Sequence, residues 1–359
     1  MGVLTDTIQN ICPADVQAAQ RARQRWDSIA KPLRSLGKLE TTVCQIAGIL
    51  GTERVVLDKR CVVPMCADNG VVAQGVTQTG SEVTAVVTEN FARGDSSVCC
   101  MARCVHADVI PVDIGVARDL TAPGIWNRKI RYGTADMTQT AAMTREEAVR
   151  AVETGIQVAE ELKKQGYRII ATGEMGIGNT TTSSALASLL LDLPVEQVTG
   201  YGAGLSNEGL TRKMNAIRRA INLNRPDPGD PLDMLSKVGG LDIAGMVGIY
   251  LGCAAYKIPV LIDGMISAVA ALLAVRMAPL SRQAMLPSHV SKEPAGQILL
   301  DALGFEPLLT CDMCLGEGTG GIAALGLIDM ALAVYHGMCT FDEAEIDPYQ
   351  DLREPSCSH

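Results

Sequence analysis

The sequence predicts an α/β fold: a doubly wound parallel sheet, with a small helical domain contributed by both ends of the chain. Three observations carry this. Five short apolar runs each stop at Gly, Asp or Asn, as strands buried on both faces do. Helical patterns fill most of the gaps between them, the alternation that gives parallel sheets. With 359 residues, 47% of them hydrophobic, the chain can bury a large core without disulfide or metal staples.

In chain order, residues 13–50 read as two amphipathic helices split near Lys31-Pro32, because proline ends a helix at the residue before it. The run 61–67, CVVPMCA, is the first strand, and 83–105 the next helix. DVIPVDI at 108–114 is the second strand. Residues 144–165 form the clearest helix, opened by Thr144 with Glu147 three positions on, a capping box. YRIIAT at 167–172 is the third strand, followed by helices at 180–191, 206–223 and 242–256. KIPVLI at 257–262 is the fourth strand, followed by helices at 265–275 and 294–303. EPLLTC at 306–311 is expected as the fifth. An apolar helix at 321–336 and a further one capped by Thr340 with Glu343 complete the series. The expected division is a helical domain of 1–50 plus 325–359 beside an α/β domain of 51–324.

Composition excludes several functions. There are 31 Lys+Arg against 40 Asp+Glu, a net charge of −9, and only 3% aromatics. Neither a basic stripe nor base-stacking platforms are available, so no nucleic-acid partner is expected. The most apolar stretch, 243–275, is interrupted by Lys257, Pro259, Asp263 and Gly264, and no membrane span is expected. The opening residues lack a basic segment followed by an apolar run, so a cytoplasmic protein is expected. The twelve cysteines are read as reduced, buried, small apolar residues. Cys311-x-x-Cys314 is a lone pair and the four histidines are dispersed, so no metal or cofactor is expected.

In open α/β sheets ligands bind beyond the carboxyl ends of the strands. Those ends are 68–70, Gly115, 173–185, 263–265 and 312–321, all polar or glycine-rich. The richest is GEMGIGNTTTSSA. Gly176 and Gly178 allow close backbone approach, and Asn179 and Thr180 open a helix whose N–H groups favour an anion. It is neither a P-loop nor GxGxxG, so a phosphate cradle not built for ATP or NAD is the reading, against a plain capped turn. Gly202 and Gly204 form a second glycine loop, with Lys213 two turns into the next helix, as a phosphate partner or a surface lysine. Glu317 lies between Gly316 and Gly318, where local packing gives no reason for a carboxylate; a general base and a turn residue both fit. Glu174 is a second candidate carboxylate, Asp263 ends the fourth strand, and Ser291 opens a helix as cap or ligand.

These segments resemble the nicotinate-nucleotide–dimethylbenzimidazole phosphoribosyltransferase family. The carriers are ADNGVVAQGVT (67–77), EVTAVVTENFARG (82–94), GEMGIGNTTTSSAL (173–186), GYGAGLSNEGLTRK (200–213), GGLDIAGMVG (239–248), PVLIDGMISAVAAL (259–272) and LGEGTGG (315–321). The resemblance implies a Rossmann-like sheet, a helical unit from both termini and a homodimer. It implies transfer of phosphoribose from nicotinate mononucleotide to 5,6-dimethylbenzimidazole, giving nicotinate and α-ribazole 5′-phosphate, in cobalamin nucleotide-loop assembly. Glu317 is then the general base, residues from Gly176 to Thr180 and Lys213 surround the phosphate, and Ser291, Leu315 and Gly316 lie near the nucleotide. The chain departs from the family pattern at Asn69, Asp95 and Gln297. Transfer to another base (a different benzimidazole, adenine or a phenol) and a non-catalytic nucleotide binder are the alternatives.

Overall fold

The computed structural model describes residues 2–350. Two compact units divide them: the residues up to Pro13 with Leu57–Ala324, and Ala14–Val56 with the residues from Leu325 onward. The N-terminal helix Val3–Gln9 packs on the Arg145–Lys164 helix of the larger unit, with Leu4 N–H donating to Glu153 Oε1 at 3.2 Å. The first thirteen residues thus group with the sheet and not with the terminal helices.

The larger unit holds a parallel sheet of seven strands: β1 (Arg60–Ala67), β2 (Asp108–Val109), β3 (Val112–Gly115), β4 (Trp126–Asn127), β5 (Ile169–Met175), β6 (Val260–Ile262) and β7 (Met285–Pro287). The order is β4-β3-β1-β5-β6-β7, with β2 also paired to β1. The sheet therefore winds outward from β1 in both directions, and a crevice is expected where the connections diverge, between β1 and β5. Residues 61–67 and 169–174 are all buried, which is why these strands read as unbroken apolar runs.

The expected elements are altered in four places. The 108–114 run splits at Pro111, which has no N–H for the ladder; β2 and β3 both pair with β1 in parallel. The 306–311 run is not a strand. Pro307 removes a donor, its flanks are half-exposed, and one parallel bridge, Leu309 to His289, is all that forms. The edge beside β6 is taken instead by β7, three residues following a 3-10 turn and too short to be seen as a run. The 83–105 helix is two, Glu82–Arg93 and Ser97–Cys104, broken at Gly94 (φ 77°), with Ser96 capping the second through Cys99 N–H. Thr340 and Glu343 exchange their capping bonds, yet only a turn follows, ended by Glu345 at φ 55°. The Thr144 capping box is present in full.

The Thr319–Gly337 helix is, among the described residues, the one helix long and apolar enough to cross a membrane. Of its most apolar stretch, 44% is buried. Ile322 and Ala324 are buried in the larger unit, and Ile328, Ala331 and Tyr335 in the smaller one. There Tyr335 stacks at 5.0 Å on Trp26 and donates to Glu53 O. The Val16–Ser28 and Lys38–Leu50 helices complete that unit, joined by the buried Lys31–Glu40 ion pair at 2.6 Å.

The Arg145–Lys164 and Leu241–Ala255 helices touch backbone to backbone. A Cβ on Gly155 would lie 2.0 Å from Gly245 O, and one on Gly248 1.9 Å from Val152 O. Only glycine fits there, because the facing groups are main chain and cannot rotate away. Gly248→Ala should cost about 1–3 kcal/mol. Urea unfolding should show it as a lower midpoint at unchanged slope.

Candidate active site

A cleft of about 180 Å³ opens in the larger unit, at the carboxyl ends of β5, β6 and β7. Three of the five expected strand ends line it: 174–180, 263–267 and 314–317, joined by 76–79, 201–203, Leu205 and the stretch containing His289, Ser291 and Glu293. The ends of β1 and β3 do not. Asn69 lies beneath the β5 loop, where a Cβ on Gly176 would come within 3.0 Å of its amide. Asp68 accepts from Ala117 N–H at 2.7 Å, and Gly115 is pressed against Leu241.

The most constrained part is the turn around Glu317. Gly316, Glu317 and Gly318 have φ of 88°, 61° and 94°, three left-handed residues in succession, which costs a non-glycine residue about 1–3 kcal/mol. Asp263 offsets this cost. Its Oδ2 accepts from Gly318 N–H at 3.0 Å and its Oδ1 from Gly320 N–H at 2.7 Å and Gly321 N–H at 3.3 Å. Asp263 therefore lines the cleft with both oxygens committed to the turn. Thr319 N–H and Oγ1 both bond Gly316 O. The Glu317 side chain is left half-buried in the cleft. Its Oε2 accepts from Val98 N–H at 3.2 Å, in the first turn of the Ser97–Cys104 helix. Burial raises its pKa above the ordinary glutamate value, toward a useful base.

Beneath the β5 loop lies a buried polar layer. The Asn179 amide donates both to Glu174 and, at 3.0 Å, to Asp242 Oδ2. Burial, with the charge of Asp242 added, pushes Glu174 up to about 8; burial alone takes Asp242 to about 6. Gly178, at φ 92°, caps the start of the Asn179–Leu191 helix, whose positive end faces the cleft together with Thr180. Lys213 stands behind Thr180, outside the lining. It is fully buried, and its Nζ donates to Thr180 Oγ1 at 2.9 Å and Gly200 O at 3.1 Å. Two neutral acceptors do not compensate a buried ammonium, and desolvation lowers its pKa to about 8. Gly202 lines the cleft beside them, and Gly204 does not; its carbonyl is held by Gln78. Met175, Ile177, Met265 and Leu315 supply an apolar wall, with Leu315 exposed at the mouth. Ser291 lines the floor and its Oγ accepts from Glu293 N–H at 3.3 Å.

This is an anion corner at a helix start, an apolar wall and a carboxylate held in a glycine-flanked turn. A family model described as phosphoribosyltransferase matches residues 11–346. A nicotinate-nucleotide–dimethylbenzimidazole phosphoribosyltransferase from Acetivibrio thermocellus is 47% identical over 97% of this chain and 99% of its own length. The chain belongs to that family. A relative of the same name from Ruminiclostridium cellulolyticum is 46% identical over 97% of this chain. The crystal structure titled CobT from Thermus thermophilus superposes with a TM-score of 0.87 at 40% identity, covering 92% of this chain and 99% of the other. Family members are enzymes of cobalamin biosynthesis, and the parallel α/β sheet is the family's fold.

Among the polar cleft residues that the sequence reading did not single out are Gln78, His289 and Glu293. Glu293 and His289 sit in the polar run after β7, a strand the apolar pattern hid, and of that run only Ser291 was singled out. Of the eleven described cysteines, five are buried and six exposed, Cys314 on the cleft rim, which corrects the expectation that they are core residues. Among the described residues no group of three or more His, Cys, Asp or Glu could hold a metal ion.

Glu174 binds its proton more tightly folded than unfolded, since its folded pKa of about 8 exceeds the ordinary 4.5. Its contribution to stability is therefore full below about pH 4.5 and lost as pH rises toward 8. Urea titrations of Glu174→Gln across that range should show a shallower fall in unfolding free energy than the parent. Equal slopes would mean that Glu174 is not the group responsible.

Proposed function

We propose that this chain transfers the phosphoribosyl group of nicotinate mononucleotide to 5,6-dimethylbenzimidazole, releasing nicotinate and α-ribazole 5′-phosphate. The observation that carries the reading is Glu317, a carboxylate kept in a strained left-handed turn at the cleft by Asp263. A site that only bound a nucleotide would have no use for it.

The chemistry fits these residues. Nicotinate leaves from a cationic pyridinium and needs no general acid. The benzimidazole nitrogen that attacks C1 of the ribose must lose its N–H proton, and Glu317 accepts it. Attack on the face opposite the leaving group turns the β-linked substrate into an α-linked product. The phosphate is read as lying at the start of the Asn179–Leu191 helix, against Gly176, Gly178, Thr180 and Gly202, with Lys213 supplying charge from behind Thr180. Met175, Ile177, Met265 and Leu315 form the wall for the flat acceptor, with Ser291 and Gly316 between the two halves. Glu174, Asn179 and Asp263 shape the loops and do not contact the reacting atoms in this reading. The functional form is taken as a cytoplasmic homodimer; Leu315 and Tyr201, apolar and about half exposed at the rim, are surface that a second copy would cover.

Glu317→Gln should lower kcat by ~10²–10⁴-fold while leaving the Kd for nicotinate mononucleotide within a few-fold. Calorimetry beside steady-state rates checks this, and near-parental kcat would remove Glu317 from the role.

Lys213 binds phosphate only when protonated. Affinity for nicotinate mononucleotide should be flat below about pH 8 and fall by up to tenfold per unit above it. Lys213→Ala should raise KM for the nucleotide about ten- to hundredfold, abolish that pH dependence, and leave the nucleoside's KM unchanged. A matching rise in KM for the nucleoside would assign Lys213 to the fold instead.

A further inference from the structure

We propose that Glu293 receives the ribose hydroxyls of the phosphoribosyl donor and sets the enzyme's preference for ribose over deoxyribose; this rests on the functional reading above. Glu293 lies between β7 and the Ala295–Leu303 helix, its backbone fixed by Ser291 Oγ and by Gly296 N–H, which donates to Glu293 O at 2.8 Å. Its side chain lines the cleft. Oε2 rests on Gly200, where a Cβ would lie 1.9 Å away, and Gly200 is the residue whose carbonyl accepts from Lys213. The carboxylate is thus placed beside the anion corner.

Oε2 is enclosed without any hydrogen-bond partner among the described residues. The charge of Lys213 reaches Glu293 only through space, because Nζ is committed to Thr180 Oγ1 and Gly200 O. Glu293 as a whole is only half-buried, and a carboxylate accepts hydrogen bonds and donates none. The phosphate cannot pair with it, since like charges repel. The nicotinate ring carries only a further carboxylate. The donors the substrate does bring next to its phosphate are the 2′- and 3′-hydroxyls of the ribose, and carboxylates bind ribose hydroxyls in dinucleotide sites for the same reason. Sequence position alone gave no hint of this, because the partner surface, Gly200, is ninety-three residues distant (293 against 200).

The test is equilibrium binding and turnover of nicotinate mononucleotide and its 2′-deoxy and 3′-deoxy forms, for the parent, Glu293→Gln and Glu293→Ala. The parent should bind the ribonucleotide about ten- to hundredfold more tightly than at least one deoxy form. Both variants should lose that preference, chiefly by weakening toward the ribonucleotide, while the deoxy form's Kd stays within a few-fold. A parent without ribose preference, or variants that weaken ribo and deoxy forms equally, would overturn the proposal and make Glu293 a counter-charge for Lys213. A parent that binds no nicotinate mononucleotide at all would overturn the functional reading, and this inference with it. Circular dichroism of each variant separates these outcomes from misfolding, and the Gln form, of the same shape, guards against collapse at Ala.

Discussion

The carboxylate of Asp263 is the interaction on which the site depends. At the end of β6 it gathers three backbone N–H groups, from Gly318, Gly320 and Gly321. Those bonds start the long Thr319–Gly337 helix and hold Glu317 in a backbone region that a glutamate would otherwise leave. Asp263 is buried, and burial drives its pKa up to about 6 even with this set of donors. The same burial makes the turn rigid, because each bond is worth more where water cannot compete.

The cleft joins two kinds of electrostatics. One end gathers positive character from a helix start and a buried lysine. The other carries negative character from Glu317. Both are built on loops at strand ends, so a sheet whose centre is buried on both faces fixes their separation. In the proposed reading, cationic pyridinium chemistry suits such a site: the phosphate would lie at one end, and only a proton would have to be moved at the other.

Local signals in the sequence were enough for some elements. The capping box at Thr144, the apolar run of β1 and the glycine loops on either side of Glu317 are each written in a few adjacent residues. Elements that depend on partners were misread. EPLLTC at 306–311 has the composition of a strand, but the place beside β6 had gone to the three residues of β7. The 340–345 segment makes its capping bonds without propagating a helix.

Residue types and spacing by themselves determined the parallel α/β class and marked Glu317 and the 176–180 loop, both at strand ends, as residues of the cleft. That is because left-handed turns, helix starts and strands buried on both faces select residues locally. The tertiary structure decided what those residues do to one another. It committed Asp263 to the turn, sank Lys213 behind Thr180, and brought Glu293 onto Gly200. Burial and partnership arise only when distant segments meet, and they move the pKa values of Glu174, Asp263 and Glu317 upward.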